Sequence, residues 1–179
     1  MKRNNIHQLV AAAVCVALGV TLPQAFHMIP NAGTVFLPMH IPVLLCGLIC
    51  GWKYGLAVGL VTPALSSLIT GMPPAAILPG MICELGAYGL VSGLCIGLVR
   101  TKSHLCNLYI SLIAAMLCGR AVSGVLNALI FRAGDYSLSL WLTASFATAL
   151  PGILIQLCLI PGLVLALEKA RVLPSPAIS

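Results

Sequence analysis

The sequence predicts an all-α membrane protein of six transmembrane helices with both termini in the cytoplasm, and three observations carry that prediction. The chain is 60% hydrophobic and only 7% charged, with a mean hydropathy of +1.11, a composition that soluble domains do not reach. Its apolar residues fall into runs broken by Pro, Gly or charge. Apart from Arg120 and Arg132, its basic residues sit at the ends of those runs, on alternate turns of the chain.

A crossing of about 30 Å of hydrocarbon takes roughly 20 helical residues, so a chain of this length holds about six. The runs cover 8–28, 38–51, 54–71, 79–99, 105–131 and 139–167. Lys2 and Arg3 ahead of the first run resemble the start of a signal peptide, but no small-x-small cleavage site follows, so the run is read as a retained helix. The second run is short and predicts a helix whose ends are shielded by neighbours or by a cavity. The fifth and sixth runs are long enough to tilt.

Lys2, Arg3, Lys53, Arg100, Lys102, Lys169 and Arg171 all fall on one side of this layout. The opposite loops, 29–37, 72–78 and 132–138, carry only Arg132, offset by Asp135. Lys and Arg accumulate in cytoplasmic loops, which places both termini inside. Residues 1–171 read as one six-helix domain, and 172–179, with Pro174 and Pro176, as a disordered tail. The net charge of +6 is not gathered into a patch with exposed aromatics, so no nucleic-acid partner is expected.

Helices in lipid approach one another through small residues. Gly89, Gly93 and Gly97 form one such stripe on the fourth run, Gly55 and Gly59 another on the third, and Ala13 and Ala17 a third on the first. The eight cysteines are scattered through apolar runs with no C-x-x-C pair. Cys46 and Cys50, at i and i+4, offer a metal-site alternative, but buried free cysteine is common, and neither metal nor cofactor is expected.

An ionisable group at membrane depth costs about 2.5–3.5 kcal/mol, which makes each one a functional candidate. Glu84 and Arg120 are the two well inside a run. A structural ion pair and a ligand-binding role both remain open for them. Glu84, Tyr88 and Ser92 share a helical face, as do Arg120, Ser123 and Asn127, and as do Thr62, Ser66 and Thr70. Converging, these three faces would line a polar pocket in the outer half of the bundle; otherwise their hydroxyls bond back to their own helices. His27 and His40 flank the first external loop and could bond a ligand. Trp52, Tyr54, Tyr136 and Trp141 lie near helix ends and read as an interfacial belt before they read as stacking platforms. The sequence holds no G-x-S-x-G elbow, H-E-x-x-H or Walker loop, so no enzyme is expected and active transport would need energy from another polypeptide.

The stretch Phe36-Leu37-Pro38-Met39-His40-Ile41-Pro42-Val43-Leu44-Leu45, followed by Gly47, Gly51, Lys53, Tyr54 and Gly55, resembles the substrate-binding S component of energy-coupling factor (ECF) transporters. Pro63, the turn Thr70-Gly71-Met72-Pro73-Pro74 and Glu84 extend the resemblance, which is good over about residues 8–100 and rests on pattern alone for the last two helices. It implies a six-helix protein of the bacterial cell membrane that binds a vitamin or related micronutrient near the external face, beneath the first, third and fifth loops. It implies as partners a transmembrane scaffold subunit and two cytoplasmic ATPases, with docking through an A-x-x-x-A stripe that Ala13 and Ala17 match. It also implies that the subunit topples in the membrane to deliver its load. Met39-His40-Ile41-Pro42 is similar to the metal-chelating motif of nickel and cobalt members, but theirs is amino-terminal and this one is internal. Arg120 favours a carboxylate-bearing substrate such as pantothenate. The expected site residues are therefore Glu84, Arg120, Tyr88, Asn127, His40, His27, Ser66 and Thr70, with Ala13 and Ala17 for docking. The competing readings are a stand-alone facilitator or channel and a membrane scaffold without ligand.

Overall fold

The computed structural model describes residues 5–26, 32–131 and 137–170, and these are helical with short connections and no strand among them. The long helices are α1 (Asn5–Ala25), α3 (His40–Cys50), α4 (Trp52–Thr70), α5 (Leu78–Leu98), α6 (His104–Leu126) and α8 (Leu150–Lys169). Two short ones, α2 (Ala32–Phe36) and α7 (Leu138–Leu142), lie at the outer end as defined by the sequence. Wide π-helical turns extend α6 over Asn127–Phe131 and α7 over Thr143–Thr148.

Five segments are long and apolar enough to cross a membrane: Ile6–Ala25, Gly33–Cys50, Leu78–Leu98, His104–Ile130 and Leu150–Lys169. The protein is thus a multi-pass membrane protein. The fourth helix, α4, has 19 residues but carries Lys53, Thr62, Ser66, Ser67 and Thr70, which dilute its hydropathy. The expected short second helix exists as α3, of 11 residues, and α2 prolongs it at the outer end. It is also the most enclosed of the five spans, 61% buried, which supplies the shielding its length demands. The expected single helix over 139–167 is instead broken at Ala149. Pro151 lies two residues on and cannot donate the backbone hydrogen bond that would continue α7 into α8.

Glycine contacts fix how the helices run. A Cβ on Gly59 would stand 2.9 Å from Gly86 Cα, and one on Gly55 2.7 Å from Gly47 Cα, both against backbone. One on Gly89 would strike the Gly55 carbonyl. Helices α3, α4 and α5 therefore meet backbone to backbone at Gly47, Gly55 and Gly89, a packing that only an absent side chain allows. Gly93 belongs to the same seam through Trp52, whereas Gly97, expected to continue the stripe, faces open space. Helix α6 runs antiparallel to α5, with Gly119 on the Tyr88 ring and Asn127 beside Gly80. His104 Nε2 and Glu168 Oε1, 3.0 Å apart, pair the amino end of α6 with the carboxyl end of α8. Lys53, Arg100, Lys102 and Lys169 consequently gather at one end of the bundle. Lys2, Arg3, Arg132, Asp135, Tyr136, Arg171 and the tail 172–179 lie outside the described residues.

Candidate functional site

The site begins with the short connection between α2 and α3. Leu37 has φ 51°, a left-handed conformation costly for a branched side chain, and Pro38 follows it. The turn closes with the His40 amide donating to the Leu37 carbonyl at 3.1 Å, so that α3 starts with His40 turned into the core, 3% exposed. Strain of this kind persists only where the surrounding structure holds it, and here it sets the position of an imidazole.

His40 meets two residues of α5. Its ring lies 5.2 Å from that of Tyr88, and its Nε2 is 3.8 Å from Glu84 Oε1, too long for a hydrogen bond. Tyr88 donates its hydroxyl to the same Glu84 oxygen at 3.0 Å, an i to i+4 contact along the helix. Both ring nitrogens of His40 are buried without a hydrogen-bond partner.

Across from them, Arg120 is carried in by α6, one residue beyond the Gly119 that Tyr88 packs on. It is 4% exposed. Its guanidinium lies 5.8 Å from the centroid of the Phe146 ring, within cation–π range. Trp141, edge-on to Phe146 at 5.7 Å, donates its indole N–H to the Arg120 carbonyl at 3.1 Å. Trp141 thus packs on α6 rather than serving only as an interfacial anchor. Among the described residues Arg120 has no carboxylate within 4.0 Å, so the close Glu84–Arg120 ion pair is not formed. Its charge still bears on Glu84 and Tyr88 through space. Arg120 Nε and Nη2 are buried without partners. These two nitrogens form one edge of the planar guanidinium, the fork that takes two oxygens of an acid side by side.

The ECF transporter substrate-specific component family model matches residues 7–164. The chain belongs to this family. No curated protein and no solved structure gives a significant match. The resemblance read from Phe36–Leu45 and the motifs after it therefore holds over most of the chain, including the last two helices.

Within this S component, His40, Glu84, Tyr88 and Arg120 come together, while other expected site residues are engaged elsewhere. Ser66 Oγ donates to the Met72 carbonyl at 2.7 Å, and Thr70 Oγ1 donates to the Ser66 carbonyl at 2.7 Å and accepts from the Met72 amide at 3.2 Å. Both hydroxyls shape the turn after α4, where Gly71 takes the left-handed cap at φ 72°. Asn127 bonds back to the Ser123 carbonyl at 2.8 Å and fills the space over Gly80. Ser92 is buried deeper, beside Gly47. His27 lies outside the described residues. Ala13 and Ala17 are on the exposed face of α1, opposite the Ala12, Cys15 and Gly19 face that packs inward. An apolar cleft of about 310 Å³ between α6 and α7, lined by Ala121, Gly124, Val125 and Trp141 among others, contains none of the expected polar residues. Sequence reasoning missed two buried polar side chains, Ser111 of α6, fully buried, and Gln156 of α8, which is 1% exposed. It is a lone amide in an apolar run, with no polar neighbour at helical spacing to mark it.

Proposed function

We propose that this S component captures a vitamin or related micronutrient bearing a carboxylate, pantothenate being one example. The binding site lies between α3, α5 and α6, in the half of the bundle away from the basic end. The observation that carries the reading is the Arg120 fork, a fixed charge held at membrane depth with the acid-binding edge unpartnered. A monocarboxylate fills both nitrogens with parallel charge-assisted hydrogen bonds. Glu84, oriented by Tyr88, and the His40 ring then face the remainder of the solute, with Ser66, Thr70 and Asn127 nearer the rim.

The protein crosses the bacterial cell membrane six times, α4 included, with both termini in the cytoplasm and Lys53, Arg100, Lys102 and Lys169 at that face. It hands its load to a transmembrane scaffold subunit driven by two cytoplasmic ATPases, and docks through the exposed Ala13 and Ala17 stripe. The test is the small molecule that co-purifies with the protein in detergent, identified by mass spectrometry, followed by its rebinding to stripped variants. Arg120→Gln and Glu84→Gln should each weaken rebinding at least tenfold, about 1.4 kcal/mol, while remaining monodisperse. Normal rebinding by both variants would refute the assignment, and aggregation of both would make their role structural.

A further inference from the structure

Gln156 is buried to 1% exposure, and its side-chain Nε2 has no hydrogen-bond partner. Leaving a primary amide in that state costs about 1–3 kcal/mol per unsatisfied group, so native proteins rarely retain one without a reason. Its place in the fold supplies a reason. Gly152, Gln156, Ile160 and Val164 are buried at every fourth residue of α8 and so form one inward stripe. Gly152, at the outer end of that stripe, packs against the backbone of Val35 and Phe36, where a Cβ would come within 2.6 Å of the Val35 carbonyl. The stripe therefore looks across the α2–α3 junction. Gln156 stands one turn, roughly 6 Å, further along α8, on the same inward stripe. Helix α8 packs on both α3 and α6, the helices that carry His40 and Arg120.

We infer that Gln156 is a substrate-contacting, specificity-determining residue of this site, which reads a neutral hydrogen-bond acceptor on the carboxylate that Arg120 holds. This rests on the capture reading above. The three helices α3, α6 and α8 then each present buried polar atoms without protein partners: both nitrogens of His40, one fork of Arg120 and the amide nitrogen of Gln156. A simple fatty acid satisfies only the fork. A hydroxy acid or an amide-bearing carboxylate satisfies the fork and offers Gln156 an oxygen to accept its N–H. The substrate class is accordingly a small monocarboxylate with at least one hydroxyl, carbonyl or amide along its chain.

The test uses the full-length protein purified from cells grown in rich medium, and the probe is the methanol extract of the wild-type protein. The extract is expected to contain one such acid. Gln156→Met and Gln156→Asn should each retain less than a tenth of it. Stripped Gln156→Met should melt no lower than stripped wild type, because an unpartnered buried amide has been replaced by an apolar chain of similar volume. Retention at the wild-type level by both variants overturns the inference, as does aggregation or a clearly lowered melting temperature of Gln156→Met, which would make the amide structural. An extracted acid with no second acceptor overturns the inference and leaves capture by Arg120 standing. Loss of retention in the Gln156 variants with normal retention in Arg120→Gln supports Gln156 contact and overturns the carboxylate reading. A wild-type protein that carries no small molecule overturns both.

Discussion

Gly55→Ala tests the three-helix seam on which the site is built. The new Cβ would stand 2.7 Å from Gly47 Cα and closer still to the Gly89 carbonyl oxygen, where ordinary contact begins at 3.4 Å. Both obstacles are backbone, so neither can rotate away. Helices α3 and α5 must retreat from α4 together. Overpacking of this kind costs about 1–3 kcal/mol, and alanine returns about 0.5–1 kcal/mol through its better helix propensity. The difference between these ranges centres on about 1 kcal/mol, and at about 2–4 °C per kcal/mol for a chain of this size the melting temperature in detergent should fall by about 2–4 °C. Because α3 carries His40 and α5 carries Glu84 and Tyr88, the variant should also retain less of its co-purified solute. Gly97→Ala is the control, since nothing lies within 4 Å of its Cβ position. It should melt at or slightly above wild type. Differential scanning fluorimetry on the three proteins decides the matter. A Gly55→Ala protein as stable as wild type, or a Gly97→Ala protein destabilised as much as Gly55→Ala, would refute the seam.

The remaining expectations concern orientation and docking. A single cysteine at Met72, in a background lacking the native eight, should react with an impermeant thiol reagent from outside the cell; reaction only after the cytoplasmic face is opened would reverse the proposed topology. Ala13→Trp with Ala17→Trp, both on the exposed face of α1, should keep solute affinity within a few fold yet abolish ATP-dependent uptake when scaffold and ATPases are supplied. Uptake that survives this double change places docking elsewhere, and uptake by the wild-type protein alone in vesicles, without partners or ATP, would end the subunit reading.

The positions of the long helices were legible in the sequence because the bilayer imposes a length on each apolar run, and Pro, Gly and charge mark where runs stop. Glu84 and Arg120 stood out for a related reason: charge at membrane depth is costly and so rare. The family was legible from a dozen residues around Pro38 and Pro42. What a linear pattern does not carry is the register between helices, which arises from backbone contacts between residues far apart in the chain. The sequence could place Gly89, Gly93 and Gly97 on one stripe, but Gly93 already lies opposite Trp52, where α4 begins, so the first two are packed in a seam and the third is not. Likewise Thr62, Ser66 and Thr70 share a face, yet the turn after α4 engages the last two, because its backbone groups lie within reach. Tertiary packing also decided that Arg120 stands apart from Glu84 with one fork unpartnered, and that a solitary Gln156 faces inward. A side chain's polarity is written in the sequence, but whether that polarity is satisfied depends on which helix lies opposite.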